Sequence, residues 1–387
     1  MAPSATLAID AKVKALRAEG KNVISFGVGE PDLPPATHIL DAARRSCIDD
    51  TNHRYSPAGG KQVLRQAVAE RTVRTSGRTT VADEVVITNG GKHAIATAFM
   101  TLLDAGDEVI IVAPYWTTYP ESVRLAGGVP VIVQTTEATG FLATVEALEE
   151  KRSSRTIAIV VVSPGNPTGS VHSALELEEI GNWAVNNRLW VVSDEIYQDF
   201  TYENPFVSIA GVCPGLVDRL VLIDGVSKSY SMTGWRVGWL TAPREFAQAA
   251  ATLISHTTSN VNNVAQDAAI AALTGEQSAV DRMRDAFVSR RERGHQLLGD
   301  IDGVVCGKPG GAFYLYPNVK ALFGRSIGGR IIDSSVTLAE VALSEALIGL
   351  VPGEAFGTPG YLRISYALSK TEMEEGLGRF ARLINNS

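Results

Sequence analysis

The chain has 387 residues, of which 45% are hydrophobic and 20% are charged, and its formal net charge at pH 7 is -7. This composition is ordinary for a globular protein with one large or two medium domains. The acidic balance and the lack of a basic run argue against nucleic acid as a partner. No apolar stretch approaches the length that spans a bilayer, so no membrane association is expected.

The cysteines and the first residues bear on the cellular compartment. The three cysteines are scattered and form neither a metal-type nor a redox-type pair, which fits a reducing environment. The first ten residues lack the basic and apolar regions of a secretory signal. We therefore expect a cytoplasmic protein.

Taken in chain order, the apolar pattern alternates between helices and strands. Helical spacing predicts helices over 4–19, 36–49 and 60–75, with a short strand over 23–26 between the first two. The strands that follow are predicted at 85–87, 108–112, 130–134, 157–162, 189–193 and 220–223, and helices at 91–103, 122–125, 145–151 and 175–186. Several strands are continuous Val/Ile runs, typical of parallel strands buried on both faces. The pattern predicts an α/β fold with an open, mostly parallel sheet.

Beyond about residue 245 the pattern is mainly helical. A long Arg-rich helix is predicted over roughly 276–299, and it leads into a second, small α/β unit at the end of the chain. No internal repeat or flexible linker is recognisable between the two parts.

Residues 221–239 carry the most informative motif. A buried strand ends in Asp224 and Gly225, Lys228 follows at once, and Arg236 comes shortly after. A lysine at the exit of a buried strand can be desolvated, which lowers its pKa and makes it a usable nucleophile. An arginine offers a planar fork that suits phosphate. A pyridoxal phosphate enzyme needs both groups, although a solvated surface lysine is the alternative interpretation.

Two Gly-rich segments at strand ends are candidates for ligand contacts, because ligands of open α/β sheets bind beyond the carboxyl ends of strands. Gly90 and Gly91 open a helix after the strand at 85–87, where free amide groups form an anion site. Asn166 lies in a Pro-Gly-Asn-Pro-Thr-Gly loop and could aim its amide into the site. Tight turns without a ligand are the alternative for both segments.

An acid and an aromatic residue follow two further strands. Asp194 could cap a helix, or it could face a pyridine nitrogen and keep that nitrogen protonated. If a helical turn begins at Asp194, Tyr197 lies on the same side of that turn, since residues three apart share one face of a helix. Trp116 could be a platform for a planar ring, or simply a core residue.

Ordered sequence blocks extend these motifs over nearly the whole chain. They lie at 3–6, 29–32, 55–59, 90–92, 114–116, 166–169, 193–197, 227–228, 234–238, 310–314, 351–353 and 362–366. With these blocks the chain resembles the fold-type I pyridoxal phosphate aminotransferases. It is most similar to the class I bacterial aspartate aminotransferases, in the subgroup that includes prephenate aminotransferases.

The resemblance implies a fold and an assembly. The expected fold is a large cofactor-binding domain, residues 38–284, with a mostly parallel seven-stranded sheet flanked by helices. A smaller α/β domain is expected from residues 1–37 and 285–387. The resemblance also implies pyridoxal 5'-phosphate as cofactor, no metal, amino acid and 2-oxo acid substrates, and a homodimer.

The resemblance assigns roles to individual residues. Lys228 would form the aldimine with the cofactor and then shuttle the 1,3-proton as general base and acid. Asp194 would pair with the pyridinium nitrogen, while Tyr197 and Asn166 would bond the ring hydroxyl. The other implied cofactor contacts are Gly90, Gly91, Lys92, Trp116, Ser227, Arg236 and, from the neighbouring subunit, Tyr55. Arg363 would clamp the substrate α-carboxylate, and the other implied substrate contacts are Gly29, Lys92, Trp116 and Asn166.

Two further points concern the substrate specificity and one position at which the chain departs from the family pattern. Many relatives carry a phosphate-binding serine where this chain has Gly225, and Ser227 is a candidate to compensate. Lys92, with Ser4 and Thr6, is expected to meet the distal carboxylate of aspartate or glutamate, so transamination of these acids with a 2-oxo acid is predicted. The alternatives are an aromatic, prephenate-like or specialised-metabolite substrate, or a pyridoxal phosphate lyase or decarboxylase on the same fold.

Overall fold

A computed structural model describes the backbone of residues 5–386 and the side chains of residues 8–386. The helices are α1 (Ala5–Ala18), α2 (Thr37–Cys47), α3 (Gln62–Ser76), α4 (Gly91–Leu102), α5 (Thr118–Leu125), α6 (Val145–Glu149), α7 (Ala174–Asn186), α8 (Ile209–Val212), α9 (Arg244–Thr257), α10 (Asn263–Thr274), α11 (Ser278–Gly299), α12 (Ser335–Glu345) and α13 (Lys370–Asn385). The predicted helices are present, with ends that differ by a few residues.

The strands lie between these helices. They are β1 (Ile24–Ser25), β2 (Val85–Thr88), β3 (Glu108–Ala113), β4 (Val129–Gln134), β5 (Thr156–Val162), β6 (Trp190–Asp194), β7 (Leu220–Gly225), β8 (Gly238–Thr241), β9 (Tyr314–Leu315), β10 (Ser326–Ile327), β11 (Arg330–Ile331), β12 (Ile348–Gly349), β13 (Val351–Pro352) and β14 (Leu362–Ser365). Within residues 5–386 no helix is long and apolar enough to cross a membrane.

A seven-stranded sheet in the order β2-β8-β7-β6-β5-β3-β4 forms the centre of the fold. Strands β4, β3, β5, β6 and β7 are parallel neighbours, whereas β8 is antiparallel to both β2 and β7. Strands β2 and β7 are buried along their whole length, as their continuous apolar sequences require. The predicted seven-stranded, mostly parallel sheet is confirmed.

Strand β8 was not expected from the sequence. Its four residues begin with Gly238, and they are too short and too close to the preceding glycines to stand out as a strand. The antiparallel direction of β8 has a consequence for the site. Because it runs opposite to its neighbours, its amino end, with Arg236 just before it, lies at the edge where the parallel strands end.

Helices cover both faces of this sheet. One apolar cluster joins it to α4, α5 and α9, and another joins its opposite face to α7 and α8. A third cluster packs α2, α3 and α10 beside β2 and β8. The sheet is thereby held rigidly, and the segments that follow its strands extend from a fixed base.

The second unit has its own apolar core. Strands β13, β14 and β9 form an antiparallel sheet, and β1 pairs in parallel with β12. Aromatic side chains fill the space beneath α11 and α13, among them Phe287, Phe313 and Phe380. Helix α11 runs continuously across residues 284 and 285, where the sequence predicts the domain boundary. The division into two domains stays a prediction.

Cis peptide bonds precede prolines at two of the strand exits. They occur at Ala113–Pro114, Ser163–Pro164 and Asn166–Pro167.

We predict that Gly238→Ala destabilises the protein. An ideal Cβ at Gly238 would lie 2.6 Å from the backbone of Gly90 and Gly91, which cannot move aside as a flexible side chain can. Overpacking of this kind costs about 1–3 kcal/mol of unfolding free energy. Chemical denaturation should show this loss, while Gly234→Ala, where a Cβ meets nothing within 4 Å, should leave stability nearly unchanged. Equal stability of the two variants would contradict the prediction.

Candidate active site

A cavity of about 340 Å3 lies at the carboxyl edge of the central sheet, where the second unit covers it. All predicted site residues except Gly90 and Tyr55 line it. Those that do are Gly29, Gly91, Lys92, Trp116, Asn166, Asp194, Tyr197, Ser227, Lys228, Arg236 and Arg363. The structure therefore brings together side chains that are far apart in sequence, although their chemical roles stay predictions.

The amine of Lys228 lies inside this cavity. Its Nζ donates a hydrogen bond of 2.5 Å to the carbonyl oxygen of Gly29 and lies 6.0 Å from the ring centre of Phe313. Burial lowers the pKa of Lys228 to about 8, and the positive charge of Arg363 adds to the effect. An appreciable fraction of the amine is therefore unprotonated near neutral pH.

Asp194 is a buried acid at the end of β6. Its Oδ2 accepts a hydrogen bond of 2.8 Å from the hydroxyl of Tyr119, and its Oδ1 accepts one of 3.2 Å from the amide of Ile196. Burial raises the pKa of Asp194 to about 6, although the bond from Tyr119 opposes the rise. This carboxylate therefore needs a cationic or N–H partner in the cavity to stay ionised without cost.

The amino end of α4 is built to receive an anion. Gly90 precedes the helix, no side chain caps it, and the amide groups of Gly91 and Lys92 have no acceptor among the described residues. Amide groups of this kind and the helix dipole favour a negative group.

Arg236 completes this anion site. Its Nη1 donates to the carbonyl of Thr233 at 2.8 Å and its Nη2 to that of Asn89 at 3.3 Å. Gly90 has a φ of 82°, which favours glycine, and a Cβ there would lie 2.4 Å from Nη2, so the guanidinium would have to shift. Arg236 itself has a φ of 57°, a strained backbone conformation of the kind that is found at functional sites.

The packing beneath the anion site explains Gly225. This residue pairs with Gly238 across β7 and β8, and a Cβ at Gly225 would lie 3.0 Å from the Cα of Gly238. A serine would be crowded here. Ser227 lines the cavity instead, which places it within reach of the same region.

Arg363, from β14, faces Lys228 across the cavity. Its Nη1 donates to Asn166 Oδ1 at 3.1 Å and its Nη2 to the carbonyl of Gly27 at 2.7 Å. Its Nε is buried without a hydrogen-bond partner, and no carboxylate of the described residues pairs with it. The guanidinium is fixed by neutral groups and keeps its charge available for a ligand.

Aromatic residues form the remaining walls. The hydroxyl of Tyr197 bonds the hydroxyl of Tyr314 at 2.7 Å. The indole of Trp116 packs edge-on against Tyr119, with ring centres 5.6 Å apart, and the ammonium of Lys92 lies 5.2 Å from the indole centre. Burial lowers the pKa of Lys92, as does the charge of Arg236.

Several predicted residues lie elsewhere. Gly90 lies against the guanidinium of Arg236 and does not line the cavity. Tyr55 is 91% exposed and does not line the cavity of its own chain. Ser4 lies outside the described residues, and Thr6 belongs to α1 without a described side chain.

Sequence reasoning missed other residues of the cavity wall. Tyr119, Tyr314, Thr233 and Asp10 contribute to it. Tyr119 follows Trp116 by three residues, so helical spacing offered a signal. Tyr314 and Asp10 come from the second unit and α1, and no local pattern indicated that they would meet the sheet.

The fold is that of an α/β protein whose candidate active site lies at the carboxyl edge of the sheet. A family model described as aminotransferase class I and II matches residues 21–380. The chain belongs to this family of aminotransferases, and the predictions of the family, the fold class and the enzyme class are confirmed.

Three similar proteins illustrate the match. An aspartate aminotransferase of Streptomyces avermitilis is 51% identical, with 99% of this chain and 94% of that protein covered. A probable aspartate/prephenate aminotransferase of Aquifex aeolicus is 41% identical, with coverage of 99% and 96%. The structure of an aspartate aminotransferase from Thermus thermophilus with maleate superposes with a TM-score of 0.92 at 36% identity, covering 99% of this chain and 97% of that one.

Glu195 provides a prediction about pH and stability. Its buried carboxyl accepts hydrogen bonds from Ser193 at 3.1 Å and Ser208 at 2.8 Å, yet burial raises its pKa to about 8. Its folded pKa exceeds the unfolded value of 4.5, so its contribution to stability is complete below pH 4.5 and is lost as the pH rises to 8.

We expect the Glu195→Gln variant to lack this pH-dependent loss of stability. Relative to the variant, the ligand-free wild-type protein should lose at most about 1.4 kcal/mol of unfolding free energy for each pH unit in that window. Denaturation curves at several pH values measure the difference, and all other titrating groups are common to both proteins. Parallel stability profiles would show that Glu195 does not titrate in this range.

Proposed function

We propose that the protein is a pyridoxal phosphate-dependent aminotransferase that moves an amino group between aspartate or glutamate and a 2-oxo acid. The observation that carries this proposal is the position of the desolvated amine of Lys228. It lies in one cavity with an anion site, a buried acid and a guanidinium without a carboxylate partner. The family membership of the chain supports the same reaction.

The residues of the cavity fit the cofactor. The free amides of Gly91 and Lys92 and the cation of Arg236 suit its phosphate. Burial raises the pKa of Asp194, and a protonated ring nitrogen would supply a positive partner that favours the ionised carboxylate. Trp116 offers a flat aromatic surface beside these groups. When bound, pyridoxal phosphate supplies the electron sink that stabilises a carbanion at the α carbon of the substrate.

Lys228 is the group that moves the proton. A pKa of about 8 lets the amine exist in both protonation states near neutral pH, which is what a combined general base and acid requires. The carbonyl of Gly29 holds the Nζ in the cavity. Tyr197 and Asn166 supply a hydroxyl and an amide to the same wall, where they can bond a polar ring substituent.

Arg363 orients the substrate. A guanidinium binds a carboxylate through two parallel hydrogen bonds, which fixes the direction of the neighbouring α C–H bond. Its attachment to Asn166 and Gly27 keeps the fork from rotating, since both partners belong to other elements.

Lys92 is the proposed contact for the distal carboxylate. Its ammonium lies 5.2 Å from the ring centre of Trp116 in the cavity wall, and burial and the charge of Arg236 lower the pKa of Lys92. The relatives named aspartate aminotransferases, and the Thermus enzyme whose structure contains the dicarboxylate maleate, support a dicarboxylic substrate.

A panel of amino donors tests the proposal. The purified protein with pyridoxal phosphate should convert aspartate and 2-oxoglutarate, while pyruvate or ammonia release from aspartate alone should be negligible. Release of ammonia as the main reaction would indicate a lyase and would refute the proposed function. A lack of turnover in Lys228→Ala is the control for chemistry at this amine.

We predict that Lys92→Ala raises the KM for aspartate at least 10-fold more than the KM for alanine. The reason is that only aspartate has a distal carboxylate for the ammonium to meet. Steady-state kinetics with both donors measure the ratio. Lys151→Ala, on the surface after α6, is a control of the same charge change. Equal effects on the two donors would contradict the assignment of Lys92.

The proposed homodimer, with Tyr55 crossing the interface, makes a separate prediction. A chain with Tyr55→Phe keeps Lys228, and a chain with Lys228→Ala keeps Tyr55, so a mixed dimer would contain one complete site. We expect mixing and refolding to give an activity above the average of the two variants, because the mixed dimers contain a complete site. An activity equal to the average of the two variants would place Tyr55 outside the partner's site.

A second acceptor of the amino group should be tested, because one similar protein is named for it. The Aquifex protein is named a probable aspartate/prephenate aminotransferase and is similar over nearly its whole length. Prephenate as acceptor with aspartate or glutamate as donor should therefore be included in the panel.

A further inference from the structure

A buried polar cluster outside the cavity lies beside the ends of β6 and β7, the strands that end at Asp194 and shortly before Lys228. We propose that Arg71, in α3, is a positioning residue that holds the segments 194–199 and 224–230 in a fixed relation, and thereby aligns Lys228 with Asp194. This inference rests on the proposed function, since it concerns the alignment of the same two groups.

Arg71 binds both segments at once. Its Nη2 donates to Asp199 Oδ2 at 2.7 Å, and its Nε donates to Asp224 Oδ2 at 3.0 Å. Its Nη1 donates to the hydroxyl of Tyr230 at 3.3 Å. Asp199 ends the segment that begins with Asp194, whereas Asp224 and Tyr230 flank Lys228. One guanidinium therefore fixes the far ends of both segments.

Additional bonds join the two segments directly. Gln198 Nε2 donates to Asp224 Oδ2 at 2.6 Å. Within the second segment, the amide of Gly225 donates to Asp224 Oδ1 at 2.7 Å and fixes that carboxylate. The amide of Glu195 donates to the carbonyl of Ile223 at 2.9 Å. The carboxylate of Asp224 is the centre of this cluster, and Arg71 is the cation that balances it.

Burial makes the arrangement rigid. The side chain of Arg71 is only 5% exposed, and those of Asp224 and Asp199 are 8% and 23% exposed. Burial raises the pKa of Asp224 to about 6 against the opposing charge of Arg71. Burial also acts on Asp199, but there the charge of Arg71 prevails and lowers the pKa. Loss of the cation would leave two buried carboxylates without compensation.

The cluster does not touch the reacting groups. Arg71, Asp199 and Asp224 are absent from the cavity wall, whereas Asp194 and Lys228 line it. The proposed substrate-binding residues Arg363 and Lys92 belong to other elements, and within the described part of the chain they make no hydrogen bond to the cluster. A change at Arg71 should therefore affect alignment of the amine and acid more than binding of the amino donor.

The experiment compares Arg71→Met with Arg78→Met. Arg78 is a matched control because its side chain is similarly buried, at 6% exposed, and pairs with Glu84 at 3.1 Å away from the cavity. Hydrogen exchange of the ligand-free proteins is measured first. We expect amides in 194–199 and 224–230 to exchange at least 10-fold faster in Arg71→Met, and to be unchanged in Arg78→Met.

Kinetics and cofactor binding give the second measurement. Arg71→Met should lower kcat with aspartate at least 10-fold, change KM less than 3-fold, and raise the dissociation constant of pyridoxal phosphate at least 10-fold. Arg71→Lys should lie between wild type and Arg71→Met, since an ammonium keeps the charge but cannot span both carboxylates as a fork. Arg78→Met should retain wild-type values for these quantities.

The outcomes separate this inference from the proposed function. A wild-type protein without aspartate transamination would refute the proposed function, while the hydrogen exchange result would still decide whether Arg71 fixes the two segments. An active wild type with Arg71→Met and Arg78→Met alike in exchange, kcat and cofactor affinity would overturn the inference. If Arg71→Met fails to fold, the variants Arg71→Lys and Asp199→Asn test the inference through the same three measurements, namely hydrogen exchange, kcat and cofactor affinity.

Discussion

The burial of a cationic amine at the carboxyl edge of the sheet is the constraint on which the site depends. Lys228 loses water there, its pKa falls to about 8, and its Nζ donates to the carbonyl oxygen of Gly29. A buried amine of this kind is costly unless neighbouring groups are arranged around it. The surrounding acids, guanidinium groups and aromatic walls are positioned by elements that have little freedom to move.

The site also depends on the close packing of three backbone segments. Gly225, Gly238 and Gly90 lie in contact, so that β7, β8 and the loop before α4 approach more closely than side chains would allow. This packing brings Arg236 and the amides at the start of α4 together next to Lys228. The absence of a serine at Gly225 follows from the same steric limit, and not from a loss of the anion site.

Sequence motifs identified most of the candidate site because each follows a buried strand. The carboxyl ends of parallel strands meet at one edge, so Trp116, Asn166, Asp194 and Lys228 could be expected together. Strand β8 was missed because it is short and begins with glycine. Tyr119 and Tyr314 were missed as well, since their contribution depends on side-chain direction and on the approach of the second unit.

The amino-acid sequence by itself determined the α/β class, the strand ends that carry chemistry and the resemblance to an aminotransferase family, because apolar periodicity and ordered motifs are local properties. Only the tertiary structure decided which groups lose water and which partners they keep. The lowered pKa of Lys228, the unpaired Nε of Arg363 and the Arg71 cluster all depend on contacts between residues distant in the chain. Desolvation and long-range pairing arise from packing, and packing is not encoded in any single segment.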